Sequence, residues 1–333
     1  MTPLRPLVAE QPPQTLYLEV SNYCNSLCGT CPLTFFGNGS PHNLTFDDFR
    51  RVVDAAPGLQ RAVLHGLGEP LLNPHLPKMI RHLKERGVHV LFNSNAILLT
   101  PRRQQLLIDA GLDEYRASLD AATRETYLRV RGVPAFERVV QNLGTFLTLQ
   151  RQLGVERPRV SLWFTTLREN LRELPGVVEI AARLGVPEVY VQRLVYFGEG
   201  MAVEEQSLFR RLQEDEQELI SRCAERCRAA GIRFFAAGAT EPLASLGGGD
   251  ADHAWQGCQR PWTLSYVTAR GDVLPCCFVP FVERDQAPFT LGNAFEQPLT
   301  QIWNGEAYRQ FRRRFLSDQP PSCCAGCGSK WST

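Results

Sequence analysis

Thr15-Leu16-Tyr17-Leu18-Glu19-Val20, followed by Tyr23-Cys24-Asn25-Ser26-Leu27-Cys28-Gly29-Thr30-Cys31-Pro32, decides how this chain is read. A short apolar run ends in a loop carrying cysteines spaced C-x3-C-x2-C. Three thiolates can hold three irons of a cubic [4Fe–4S] cluster and leave the fourth iron free for another ligand, whereas four-cysteine ferredoxin spacings close the cluster. An open iron beside a strand end points to chemistry at the cluster rather than electron storage alone. A zinc site can share the same spacing.

The composition frames this reading. The chain has 333 residues, 44% hydrophobic and 21% charged, which is enough for one large domain or two unequal ones. A net charge of +1 gives no field that would draw nucleic acid or an anionic membrane. No apolar run reaches the length of a membrane span. Met1-Thr2-Pro3-Leu4-Arg5-Pro6 lacks the apolar core of a signal peptide. A cytoplasmic protein is therefore expected, and in that compartment 11 cysteines read as metal ligands or catalytic thiols before disulfides.

Up to about residue 238, strand-like and helix-like segments alternate. Strands are expected at Thr15–Val20, Arg61–His65, Val88–Asn93, Leu112–Leu119, Pro158–Thr166, Glu188–Tyr196 and, more weakly, Ile232–Ala236. Helices are expected between them, including a long one over Glu204–Ala230. This alternation predicts a parallel sheet with helices outside, a partial (β/α)6 barrel rather than a closed eight-fold one. Function in such folds sits in the loops after the strand C-termini, where the cysteine loop lies. Residues 239–257, with Gly247-Gly248-Gly249-Asp250, read as a linker. Residues 258–333 read as a small second domain, a hairpin around Ala269-Arg270-Gly271-Asp272 followed by two short helices and a cysteine-rich tail.

The C-x3-C-x2-C loop, its place after the first strand and the β/α repeats together resemble the radical S-adenosylmethionine (SAM) enzymes. The resemblance implies that the open iron binds SAM and that the reduced cluster cleaves it to a 5′-deoxyadenosyl radical. Gly66-Leu67-Gly68-Glu69-Pro70 resembles the family's glycine–glutamate element, which would hold the SAM ammonium through Gly66, Gly68 and Glu69. Asn93-Ser94-Asn95 and Ser118-Leu119-Asp120 resemble elements near the nucleoside and the ribose or carboxylate, through Asn95 and Ser118. Arg131 could pair with the methionine carboxylate. One position departs from the pattern. Thr30 stands where the family commonly has an aromatic residue against adenine, so another side chain must cover that face.

The C-x12-G-x4-C run from Cys258 through Gly271 to Cys276 resembles the start of a SPASM domain, an auxiliary-cluster module, in a shortened "twitch"-like form. The resemblance implies a second [4Fe–4S] cluster. Its preferred ligands are Cys258, Cys276, Cys324 and Cys327, with Cys277 and Cys323 as spare candidates; a four-cysteine zinc site is the alternative. Cys223 and Cys227, four apart on a helix, read as buried structural thiols. Tyr196, Glu199, Cys277 and Arg193 fall near strand ends and could face a cavity.

The activity expected is radical oxidation or rearrangement of a small polar metabolite such as a sugar, aminocyclitol or amino-acid derivative. Modification of a ribosomally made peptide or protein is the alternative, and a non-catalytic iron–sulfur or zinc protein a distant one. An electron donor such as flavodoxin or ferredoxin is implied as a partner.

Overall fold

In the computed structural model, which describes residues 5–248, 254–325 and 327, nine strands form a single sheet. The strands are β1 (Thr15–Leu18), β2 (Arg61–Val63), β3 (His89–Ser94), β4 (Glu114–Ser118), β5 (Arg159–Thr166), β6 (Glu188–Arg193), β7 (Arg233–Phe235), β8 (Leu264–Val267) and β9 (Val273–Leu274). Their spatial order is β7-β6-β5-β4-β3-β2-β1-β8-β9, and every neighbouring pair is parallel except the β8–β9 hairpin. The alternation of strands and helices was therefore legible.

The chain is helical at α1 (Pro32–Phe36), α2 (Phe46–Asp54), α3 (Leu76–Glu85), α4 (Pro101–Asp109), α5 (Arg124–Arg131), α6 (Phe136–Leu153), α7 (Leu174–Leu184) and α8 (Glu214–Ala229). Local chemistry explains where these begin. Thr45 accepts a hydrogen bond from the Asp48 amide, and Asp47 and Asp48 occupy the first turn of α2. Phe49, Val52 and Val53 then point inward at helical spacing. The long helix expected over Glu204–Ala230 is shorter. Glu204–Gln206 is a single 3-10 turn, and α8 starts at Glu214, where Gln213 and Glu216 form a reciprocal cap. Charge-rich composition extends through both segments, but the cap fixes the start.

The C-terminal part continues with α9 (Pro242–Gly247), α10 (Arg260–Thr263), α11 (Val279–Val282), α12 (Leu299–Trp303), α13 (Glu306–Phe315) and α14 (Ser322–Ala325). The hairpin turns where expected, with Gly271 at φ 91° and the Thr268 amide donating to the Asp272 carbonyl. The middle of the expected linker, residues 249–253, and the tail beyond Cys327 lie outside the described residues.

The hairpin does not stand apart. β8 pairs with β1 in parallel, Tyr17 opposite Tyr266, so the barrel sheet continues into the C-terminal part. Residues 5–11 reinforce the join. Arg5 donates to the Cys258 and Gln256 carbonyls, Trp303 Nε1 to Gln11, Trp262 Nε1 to Pro6, and Asn304 bonds both ways with Ala9.

Arg312 is fully buried at 0% exposure. It donates to the carbonyls of Pro261 (2.9 Å) and Leu7 (2.9 Å) and to Asn304 Oδ1 (3.0 Å), and it lies against the rings of Trp303 and Tyr308. Arg312→Met leaves those acceptors unpaired and should cost about 3 kcal/mol or more. Arg312→Lys should not restore it, because an ammonium cannot reproduce the planar fork. Urea midpoints measured anaerobically check both.

Candidate active site

The cysteine loop is fixed from several sides by backbone hydrogen bonds. The Leu27 and Gly29 amides donate to the carbonyls of Arg131 and Val130 at the end of α5, at 3.2 and 2.9 Å. The Met201 amide donates to Gly29 O at 2.7 Å, and the Glu69 amide to Tyr23 O at 2.9 Å. Two glycines make this approach possible. A Cβ at Gly68 would strike the Ser21 and Tyr23 carbonyls, and one at Gly132, where φ is +70°, would strike the Leu27 carbonyl. Gly66 is similarly closed off by Tyr266 and Glu19. The glycines of the Gly66–Glu69 turn thus pack against the protein's own strand and loop as well as lining the cavity.

Glu69 is buried, which raises its carboxyl pKa; three donors oppose that rise. Its Oε1 accepts from Leu71 N (3.0 Å) and Ser94 Oγ (2.8 Å), and its Oε2 from Asn95 N (2.8 Å). Asn95 in turn donates to Asn25 Oδ1 (2.8 Å) and Ser26 Oγ (3.1 Å), with Cys24 Sγ at 3.6 Å. Arg131 reaches Cys28 Sγ at 3.4 Å through Nη1 and lies 3.1 Å from Asp120 through Nε. Burial alone would lower the Arg131 pKa, but Asp120 and Cys28 outweigh it and hold it above the ordinary value. Asp120 also accepts from Thr165 N at 2.8 Å, so the end of β4 is tied to β5. Ser118 lines the cavity.

Burial raises the thiol of Cys24 to about 11 and that of Cys31 to about 12. Both hold their protons in the metal-free protein and would release them to iron. The donor set fits an open cluster: three thiols on one loop, with Asn95 and Arg131 as donors facing two of the sulfurs.

These groups share a cavity of about 370 Å³. The cysteine loop forms one wall, and Arg260, Cys277, Phe278 and Phe281 of the C-terminal part form another. Between them the sheet presents Arg116 and Ser118, Trp163 and Thr165, and Tyr190 and Gln192, alternate residues of β4, β5 and β6. Trp163 and Tyr190 stack with centroids 3.8 Å apart, and the Arg116 guanidinium sits 4.5 Å above Trp163. Aromatic surface thus exists in the cavity although Thr30, also a lining residue, supplies none. Sequence reading missed Trp163, Tyr190 and Arg116. The signal was their alternation with apolar residues in strands of a parallel sheet, which otherwise read as continuously apolar. Of the four strand-end candidates, Cys277 and Arg193 line the cavity; Tyr196 and Glu199 are not among its lining residues.

At the C-terminal wall, burial raises the Cys258 thiol, as do Cys276 and Cys324 beside it. Burial likewise raises Cys327, within electrostatic range of Cys276, Cys258 and Cys324. Among the described residues, the thiols of this wall are not gathered into a metal-ready cluster of three or more. Cys323 Sγ lies 3.7 Å from Cys324 Sγ. The Cys277 side chain, then Arg260, holds Cys276 below the usual thiol range. The set suits a closed, thiolate-ligated cluster with a cation at its edge. Cys223 and Cys227 are buried on α8 within the core, away from these sets.

A cysteine loop open to a cavity at the strand ends of a parallel α/β sheet, faced by a second cysteine set, defines an iron–sulfur enzyme architecture. The profile of the Radical SAM superfamily matches residues 18–153, and that of the iron–sulfur cluster-binding SPASM domain matches residues 258–328. The chain belongs to the radical SAM enzymes that carry a C-terminal SPASM domain, and with that come a [4Fe–4S] cluster, SAM and further iron–sulfur binding. It is 26% identical over 346 residues to the AdoMet-dependent heme synthase of Methanosarcina barkeri, covering 96% of this chain and 92% of that one. It is 30% identical over 208 residues to a probable GTP 3',8-cyclase of Saccharolobus islandicus, covering 61% of this chain and 65% of that one. Streptococcus suis SuiB bound to its precursor peptide SuiA shares the fold, with a TM-score of 0.72 at 19% identity over 96% of this chain and 70% of that one. So does anSMEcpe with bound AdoMet and a peptide, with a TM-score of 0.65 at 15% identity over 95% and 88%. Among the described residues, no helix is long and apolar enough to cross a membrane.

Two measurements test the site. Gly68→Ala should displace the Tyr23–Cys24 backbone, so the reconstituted variant should hold about four fewer irons per chain than wild type. His65 accepts from Asn93 N at 3.1 Å, and burial, with Arg116 and Arg61 nearby, lowers its pKa to about 3. The unfolded chain therefore binds a proton below pH ~6.5 that the folded one does not, so this contribution falls as pH drops. Between pH 7 and pH 5, wild type should lose about 2 kcal/mol more stability than His65→Gln, by chemical denaturation at both pH values.

Proposed function

We propose that the enzyme uses SAM-derived radical chemistry to oxidise or rearrange a small polar molecule, such as a sugar, aminocyclitol or amino-acid derivative. The cavity supports this reading: it runs from the Cys24–Cys31 loop to Cys277 and Arg260, so a molecule held there lies between the first cysteine loop and the C-terminal cysteine-bearing wall.

In this reading Cys24, Cys28 and Cys31 hold three irons. When loaded and reduced, the cluster supplies the electron that splits SAM into methionine and a 5′-deoxyadenosyl radical, which takes a hydrogen atom from the substrate. Glu69, oriented by Leu71, Ser94 and Asn95, meets the SAM ammonium, with Gly66 and Gly68 shaping the turn. Asn95 keeps the cysteine loop in place, Ser118 faces the bound cofactor, and Arg131 balances charge at Cys28 and meets the methionine carboxylate. Trp163 and Tyr190 offer the flat surface that Thr30 does not.

Cys258, Cys276, Cys324 and Cys327 hold the auxiliary cluster. Loaded with a cluster, these residues would offer a one-electron acceptor for a substrate radical. Flavodoxin or ferredoxin is the class of donor that reduces the first.

Anaerobic reconstitution should give about eight irons per chain. Reduction with SAM should yield 5′-deoxyadenosine, abolished by Cys24→Ala, Cys28→Ala or Cys31→Ala. Cys258→Ala and Cys276→Ala should keep uncoupled cleavage and lose product. Failure of the reduced wild type to form 5′-deoxyadenosine overturns the proposal. Turnover of a short peptide, with none of the small molecules, transfers the same chemistry to a peptide substrate.

A further inference from the structure

The cavity carries four arginines, and three have partners. Arg131 faces Asp120 and Cys28, and Arg116 donates to Glu114 Oε2 at 3.0 and 2.7 Å. Arg260 stands over the Phe278 ring amid Cys258, Cys276 and Cys277. Arg193 differs. It closes β6 at the cavity, its guanidinium 4.2 Å from the Phe209 ring centroid. Its Nε and Nη1 are buried with no hydrogen-bond partner, as are Arg131 Nη2 and Arg260 Nη1, but unlike Arg131 and Arg116 it has no carboxylate within ion-pair distance among the described residues.

The ionisable groups that act on Arg193 are Tyr190, Arg210 and Cys327, none of them a carboxylate. A guanidinium is always charged, and burying its donors unpaired is costly. The aromatic ring fixes its plane but satisfies none of its N–H groups. Among the described residues, the one carboxylate lining the cavity, Glu69, is engaged by Leu71, Ser94 and Asn95. Cys327 and Tyr190 act on Arg193 at a distance but do not hydrogen-bond its buried Nε and Nη1, which leaves those two donors free for an incoming anion.

We propose that Arg193 anchors an oxyanion, a carboxylate or a phosphate, carried by the substrate. This deepens the proposed function and rests on the cavity being the substrate chamber. It narrows the small polar molecule to an acidic one, held at the β6 end while its reacting carbon faces the Cys24–Cys31 loop. Charge-assisted hydrogen bonds to a guanidinium give both affinity and orientation, and orientation decides which hydrogen is removed.

The test is calorimetric titration of the iron-loaded, SAM-saturated, unreduced protein with propionate, methyl phosphate and, as a neutral control, propionamide. One oxyanion should bind and propionamide should not; which oxyanion binds tells carboxylate from phosphate. Arg193→Gln should weaken that binding about tenfold or more. Arg193→Lys, which keeps the charge without the planar fork, should retain part of it and carries the test if the Gln variant loses its iron. No binding of either oxyanion to wild type, or equal binding to Arg193→Gln, overturns the proposal. So does binding seen only without SAM, which would assign Arg193 to the cofactor's own carboxylate. Formation of 5′-deoxyadenosine with no oxyanion binding leaves the proposed function standing and removes this inference. The reverse pattern does the opposite.

Discussion

Everything at the site depends on how closely the Cys24–Cys31 loop lies against its neighbours. Four backbone hydrogen bonds hold it, from the end of α5, from Met201 and from the Gly66–Glu69 turn. Backbone-to-backbone contact at this range leaves no room for a Cβ at Gly68 or Gly132. A cysteine loop that must keep three sulfurs in a fixed triangle cannot be set by side-chain packing alone, because side chains hop between rotamers. Backbone clamps fix where the three cysteine Cα atoms sit, so that only the side-chain torsions are left to be set when metal binds. The same clamps explain why Glu69 and Asn95 are engaged with the protein as well as with the cavity. They hold the adjoining strand ends in register with the loop.

The sheet has two unlike faces. Outward, Ala117, Leu162, Phe164, Val189 and Val191 pack into the helices and build the core. Inward, the same strands present Arg116, Ser118, Trp163, Thr165, Tyr190 and Gln192. A barrel built only for stability would fill its interior with branched apolar side chains. Polar and aromatic residues at successive inward positions forgo that stabilisation, and the departure marks a chamber for polar ligands. Arg193 is the clearest case, with Nε and Nη1 buried and without a hydrogen-bond partner.

Much of this was legible in the sequence. The C-x3-C-x2-C loop, the Gly66–Glu69 turn and Ser118-Leu119-Asp120 each follow a strand, and local pattern suffices to find them. The hairpin at Gly271 was likewise marked by its turn residues. What local pattern cannot carry is pairing between distant strands. Nothing near Leu264–Val267 says that β8 lies beside β1, or that Arg5 and Trp262 cross the join. The start of α8 was missed because charge-rich composition runs through both the Glu204–Gln206 turn and the helix. The stacking of Trp163 on Tyr190 needs the β5–β6 register, which is a tertiary fact.

Glu19 shows why that long-range pairing matters for chemistry. It directly follows β1, it is buried, and burial raises its pKa. Its Oε1 accepts from Leu67 N at 3.2 Å and Tyr266 Oη at 3.3 Å, and its Oε2 from Ala269 N at 3.2 Å. One carboxyl therefore joins the glycine–glutamate turn to the hairpin that leads into Cys276 and Cys277. Parallel pairing of β1 with β8 sets the distance between the two cysteine sets, and Glu19 sets the relative position of the turns at their ends. In the proposed function, two centres that both meet the substrate need a spacing that does not drift. Here it is fixed by strand register and a buried carboxyl rather than by contact between two separately folded halves.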